Sequence, residues 1–288
     1  MKLKLAIFSI LFTITQLYSM SIDEIKFYIK KYVEKKAKAE VQKIDVVSQY
    51  DVPNANGWKV YFLSIIAKVN INGKEQEALI PQTVFVKGKR ITLKLMKRGQ
   101  LKSNGKRGRD IDYAKILKPK VPEEAYDKEH LLYGSLDAPH KILFFSDPFC
   151  PYCRDISTDI VDVVMKNPKI YGLYYYHLPL VKIHPASEMV SRAMLVFQKR
   201  GDIKNMLKLY RIFVEPEEKD LNKILDAIKL KTGVRLTRDE LYAKEITDAL
   251  KVDLEMKKRL QVTGTPTIFL DGMWDRQRKD FGKYAEKK

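Results

Sequence analysis

The feature that most constrains this chain is a pair of cysteines, two residues apart, at the point where a buried strand gives way to a helix. Lys141 to Ser146 contains Ile142-Leu143-Phe144-Phe145, a short continuous apolar run that fits a strand covered on both faces. Directly after it comes Asp147-Pro148-Phe149-Cys150-Pro151-Tyr152-Cys153. A helical pattern follows, with Cys153, Ile156, Ile160, Val163 and Val164 on one face. Pro151 suits the first helical position, where its missing N–H removes nothing the helix needs. Cys150 therefore falls beside the helix N-terminus and Cys153 one turn further in, close enough for the ~5.5 Å Cα separation of a disulfide.

That placement carries chemistry. Unsatisfied N–H groups and the positive end of the helix dipole stabilise a thiolate, and cysteines so placed have pKa values of ~3.5 to 7.5 against ~8.5 for a free thiol. Cys150 is thus read as the accessible, acidic nucleophile that forms a mixed disulfide with a substrate. Cys153, on the shielded face, resolves that adduct or waits as a thiol while the substrate rearranges. With 2 cysteines in 288 residues, a multi-bridge scaffold is excluded. A zinc half-site needs two more ligands, and the 4 histidines form no closely spaced pair. No metal is expected, and no cofactor beyond a redox-active Cys150–Cys153 disulfide. His184, followed by Pro185, reads as a loop residue, and His130, His140 and His177 receive no role.

Residues 1–20 read as a secretory signal: Lys2 and Lys4, a largely apolar Leu5 to Leu17, and the small Ser19. That apolar run is shorter than the ~20 residues of a spanning helix. An exported chain meets conditions in which disulfides form and persist. Residues 21–98 open with a helix on which Ile22, Ile25, Ile29, Tyr32 and Val33 recur at helical spacing. Four β-rich segments follow (Val41 to Tyr50, Trp58 to Val69, Glu75 to Val86, Arg90 to Met96), joined by turns at Asn56-Gly57, Asn72-Gly73 and Lys87-Gly88. One helix on a small antiparallel sheet leaves strand edges for a second copy to cover, so this unit is expected to dimerise. Residues 99–139, with lower apolar density, read as a linker holding one short helix at Asp110 to Leu117. The second domain spans 140–288, with several amphipathic helices at about 187–260. Lysine and arginine outnumber acids 54 to 36. They are spread along the chain, and the cluster Lys102 to Arg109 has no aromatic residue to stack on a base, so nucleic acid is not an expected partner.

Residues 141–153 and Gly264-Thr265-Pro266-Thr267 resemble the two signatures of thioredoxin-fold disulfide exchange proteins. The whole arrangement resembles the periplasmic DsbC and DsbG disulfide isomerases. The resemblance implies a mixed α+β and α/β architecture: a cystatin-like helix-plus-sheet dimerisation domain, then a thioredoxin-like catalytic domain with a helical insertion. It further implies that Pro266 is a cis-proline facing the cysteines, that Thr265 binds substrate through its backbone, and that Pro151 and Tyr152 tune the redox pair. The implied setting is the periplasm. The implied partners are misfolded or oxidised exported proteins, a membrane thiol reductant and a second copy of the chain. Met273 to Lys288 departs from the pattern, being short and charged where a strand and a closing helix are usual. Besides isomerase or reductase, the same motif serves an oxidase that donates its disulfide, and a chaperone with incidental cysteines is a third reading.

Overall fold

The computed structural model describes residues 19–71, 74–100, 103 and 105–285. Most of the segment read as a signal, residues 1–18, and the Asn72-Gly73 turn lie outside the described residues.

Helix α1 (Ile22–Ala37) starts at a capping box. The Ser21 N–H donates to the Glu24 carboxylate at 2.7 Å, and the Glu24 N–H donates to the Ser21 hydroxyl at 3.1 Å. Its Ile25, Ile29 and Val33 are buried against a four-stranded antiparallel sheet. That sheet runs in the order β1 (Glu40–Asp51), β2 (Lys59–Ile71), β3 (Lys74–Lys87) and β4 (Arg90–Thr92). Each of the three helix side chains contributes roughly 2 kcal/mol by leaving water. The other sheet face buries Val60, Phe62 and Phe85. There Tyr113 from α2 (Tyr113–Ile116) covers them, beside a small ribbon of β5 (Met96–Lys97) and β6 (Ile111–Asp112).

The second sheet has five strands in the order β11-β10-β8-β9-β7, the ranges being β7 (Leu131–Gly134), β8 (His140–Ser146), β9 (Tyr171–His177), β10 (Thr267–Leu270) and β11 (Met273–Trp274). β8 and β9 are parallel, and the remaining pairings are antiparallel. Both faces of β8 are covered, as its unbroken apolar run requires. Ile142 and Phe144 enter a core shared with α3 (Pro151–Lys166), whereas Leu143 and Phe145 pack with Val121, Tyr126, Leu260 and Val262. Residues 187–260 form α4 (Ser187–Lys199), α5 (Ile203–Lys208), α6 (Leu221–Thr232), α7 (Arg238–Leu241) and α8 (Lys244–Arg259). The fold is thus the thioredoxin-like mixture of sheet and helices expected, preceded by a helix-plus-sheet unit.

One stretch differs from the sequence reading. Residues 99–139 hold ordered elements, and β7 is an edge strand of the second sheet. It approaches β9 so closely at Gly134 (φ +87°) that a Cβ there would lie 1.9 Å from the Tyr171 carbonyl oxygen. This is a position for glycine alone. After β10, the described residues form the two-residue β11 and a 3₁₀ turn at Asp280–Gly282, whose Phe281 packs on the core, a short end in keeping with the departure from the family pattern noted in the sequence.

His130, left without a role by its sequence context, is buried between two carboxylates. Its Nδ1 lies 2.8 Å from Asp127 and its Nε2 2.9 Å from the buried Asp253 of α8. The other Asp253 oxygen accepts the His177 N–H at 2.8 Å. Burial disfavours the imidazolium, but the hydrogen bond and charge of Asp253, with those of Asp127, outweigh it and raise the His130 pKa.

Candidate functional site

Cys150 is the N-cap of α3, with extended backbone (φ −70°, ψ 115°), and Pro151 takes the first helical position. The Cys150 carbonyl accepts the N–H of Cys153 at 3.0 Å and of Arg154 at 3.1 Å, which fixes the first turn. Cys153 therefore lies on the inward face, fully buried, and both cysteines are free thiols. Tyr152, between them, is 72% exposed.

The loop before the helix is held by Asp147, a fully buried carboxylate at the end of β8. One of its oxygens accepts the N–H of Phe149 at 2.8 Å and of Cys150 at 3.1 Å, with His184 Nδ1 at 3.1 Å. The other accepts the N–H of Leu180 at 2.7 Å and the Ser187 hydroxyl at 2.5 Å. One side chain thus ties together the cysteine loop, the segment after β9 and the start of α4. His184 is a loop residue, as its sequence context implied, and the loop brings it to this cluster.

The segment Gly264 to Thr267 closes over Cys150. The Thr265–Pro266 peptide bond is cis, and the Cys150 sulfur lies 3.6 Å from the Thr265 carbonyl oxygen. This cover leaves Cys150 only 6% exposed, so the thiol read from sequence as accessible is the less buried of two covered ones.

The two sulfurs differ in acidity. A hydrogen bond from the Cys153 thiol is the largest influence lowering the Cys150 pKa, to about 6. The Thr265 side chain and the Cys153 N–H add to it, while burial and the Asp147 charge oppose it. Cys153 is pushed far above the ordinary thiol range, first by burial and then by its hydrogen bond to Cys150 and that neighbour's charge. At neutral pH one sulfur is a thiolate and the other keeps its proton.

Behind Cys153 sits a chain of buried hydroxyls that the sequence reading missed. Ser146 Oγ contacts Cys153 and is hydrogen-bonded to the Tyr210 hydroxyl, which meets the Tyr175 hydroxyl at 2.6 Å. Tyr210 comes from the short 3₁₀ turn after α5, 57 positions beyond Cys153 by residue number, so no local pattern announces it. Burial raises the Tyr210 pKa well above the ordinary phenol range, and the hydroxyl stays protonated. Among the described residues no group of three or more metal-ligating side chains converges.

The family model described as Thioredoxin (Thioredoxin_4) matches residues 126–284. The chain is 25% identical over 160 residues to the "Probable disulfide bond formation protein D" of Bacillus anthracis, covering 51% of this chain and 72% of that protein. It is 23% identical over 158 residues to the Na(+)/H(+) antiporter NhaA 3 of Salinispora tropica, covering 55% of this chain. The chain spans only 23% of that antiporter's length. Similar solved structures include oxidised BdbD of Bacillus subtilis, at 17% identity and TM-score 0.45, covering 59% of this chain and 92% of that one. The catalytic domain of ScsC from Proteus mirabilis is similar at 23% identity and TM-score 0.39, covering 56% of this chain and 96% of that one.

Proposed function

The chain belongs to the thioredoxin family whose model spans residues 126–284, and on that premise we propose that it is a thiol:disulfide oxidoreductase of exported proteins. The observation that carries this reading is the split acidity of the cysteine pair, with Cys150 ionised at neutral pH and Cys153 protonated beneath it.

In the reductive direction the Cys150 thiolate attacks one sulfur of a substrate disulfide. An S–S bond forms between Cys150 and the substrate, and the second substrate sulfur leaves as a thiolate that takes a proton. Cys153 then gives up its proton and attacks the Cys150 sulfur. The Cys150–Cys153 bond forms, the remaining substrate sulfur leaves, and two electrons have passed to the substrate. In isomerisation the freed substrate thiolate attacks a different disulfide of its own chain, a further substrate thiol displaces Cys150, and no net electrons move. Thr265 offers its backbone to an extended substrate segment beside Pro266 in both schemes.

A thiolate with a pKa of about 6 is both attacker and good leaving group at neutral pH, so the mixed disulfide reverses readily, which serves exchange in either direction. Two features support isomerase or reductase work over donation of a disulfide. Thr265 precedes the proline, as in the isomerases the sequence resembles. The helix-plus-sheet unit exposes Phe27, Tyr28 and Tyr32 on α1, apolar surface that a second copy covers in a dimer with two facing active sites. The setting in this reading is the periplasm, and a membrane thiol reductant recycles the pair.

The test pairs two ribonuclease assays: scrambled, oxidised ribonuclease with catalytic reduced protein, and reduced ribonuclease with oxidised protein. Faster recovery of activity in the first supports isomerase. A response in the second alone, with an oxidised cellular cysteine pair, makes the protein an oxidase. Sedimentation of the mature chain as a monomer at micromolar concentration removes the dimer from the scheme.

A further inference from the structure

Beside Cys150 opens a groove of about 450 Å³, between the start of α3 and the segment after α5. Its apolar wall includes Phe149, Ile212 and Phe213, the last 73% exposed. Its charged lining has one sign: Arg154, Arg211 and Lys231 border it, and no carboxylate does.

These cations are available. The Lys231 ammonium sits 4.5 Å over the Phe213 ring, a contact that leaves its charge uncancelled. Among the described residues neither Lys231 nor Arg211 has an ion-pair partner. Arg154 meets the exposed Asp155 at 3.6 Å, beyond hydrogen-bond reach, and its buried Nε has no hydrogen-bond partner among the described residues. An exposed phenylalanine with a lysine over its ring, in a cation-lined groove that includes the reactive cysteine, is shaped for a ligand with an apolar side chain and carboxylates.

We infer that this groove receives the polypeptide segment flanking the substrate's reactive cysteine and selects segments that carry carboxylates beside an apolar side chain. The inference rests on the thiol–disulfide reading above. The apolar side chain covers Phe213 and Ile212, the carboxylates meet Arg211 and Lys231, and the substrate sulfur is delivered to Cys150. Basic flanking sequences meet three like charges and are disfavoured. The formal charge of +18 attracts acidic chains to the molecule in general, and the groove converts that attraction into a choice of site.

The experiment uses two cystine-linked peptides of one sequence with phenylalanine next to the cysteine, flanked by two glutamates or by two lysines. Their rates of reduction by the reduced full chain are compared, and bis(2-hydroxyethyl) disulfide serves as an uncharged small substrate. The acidic peptide is expected to react about five- to tenfold faster, as two exposed ion pairs allow. Arg211→Glu with Lys231→Glu should invert the ratio or bring it to one, and the milder Arg211→Gln with Lys231→Gln should bring it to about twofold. Lys115→Glu with Lys169→Glu changes net charge equally at exposed positions outside the groove and should keep the wild-type ratio. A wild type that reduces the small disulfide but treats both peptides alike overturns the groove inference and leaves the redox reading standing. So does a preference that survives both groove variants. No reaction with any disulfide overturns both.

Discussion

The carboxylate of Asp147 accepts the backbone N–H of Cys150 at 3.1 Å, while its charge opposes the downward pull that the Cys153 thiol exerts on the Cys150 sulfur. The residue that shapes the loop therefore also restrains its acidity.

Asp147→Asn should separate these two effects. Removing the charge lowers the Cys150 pKa further below 6, because one opposing influence is gone. The amide cannot accept all the donors gathered on the carboxylate, and stability should fall by about 2–4 kcal/mol. Urea unfolding gives the second quantity, and the pH profile of iodoacetamide reaction with the reduced protein gives the first. An upward move of the profile contradicts the assignment.

In the wild type, alkylation of the reduced protein should rise with a midpoint near pH 6 and modify Cys150 alone. Cys153→Ala removes the largest cause of the depressed pKa, so the midpoint should move up towards the ordinary thiol range. Peptide mapping after brief labelling checks which sulfur reacts.

Much of this was legible in the sequence, because the decisive signals are local. The apolar run 142–145, the two cysteines and Pro151 define a strand, a turn and a helix start within twelve residues. The N-terminal sheet is announced by alternating strands and glycine turns. What stayed hidden depends on long-range contact. Asp147 stands in the cysteine motif with no role of its own until Leu180, His184 and Ser187 arrive from 33, 37 and 40 residues away. His130 looks idle until α8 brings Asp253 from 123 residues away. The edge strand β7 is only four residues, Leu131–Gly134, too short a run to declare itself, and its place is set by antiparallel pairing with β9 and the close approach at Gly134.

His130 should make stability depend on pH in the direction opposite to Cys150. Its folded pKa is raised, so the stabilisation it supplies is fully present below its ordinary value of 6.5 and is lost as pH rises through the folded value. Cys150 in the reduced protein has a depressed pKa. Its contribution is full above the ordinary thiol range and disappears as pH falls through about 6. In the oxidised protein the unfolding free energy should decline as pH rises from 6.5 through the folded His130 value, whereas His177, whose pKa burial lowers, acts only below 6.5. His130→Gln should flatten that decline while costing about 2–3 kcal/mol at pH 6. An unchanged slope in the variant would falsify the assignment.

Tyr210→Phe should slow the second step of the reaction more than the first. The Tyr210 hydroxyl bonds Ser146, which contacts Cys153, so its loss removes a neighbour of the thiol that must shed a proton to resolve the mixed disulfide. A mixed disulfide between Cys150 and a peptide should accumulate in rapid-quench experiments, with the rate of its formation changed less than twofold. Equal slowing of both steps marks Tyr210 as a packing residue only.

The unequal acidities of the two sulfurs have an electrochemical consequence. Lowering the Cys150 pKa from 9.0 to about 6 stabilises the dithiol over the disulfide by about 1.4 kcal/mol at pH 7, since only the dithiol carries the favoured thiolate. For a two-electron couple this raises the reduction potential by about 30 mV relative to the same pair with an ordinary first thiol. The helix start thus sets a voltage. It inclines the pair to hold its electrons, and by the same amount it makes the Cys150–Cys153 disulfide the stronger oxidant.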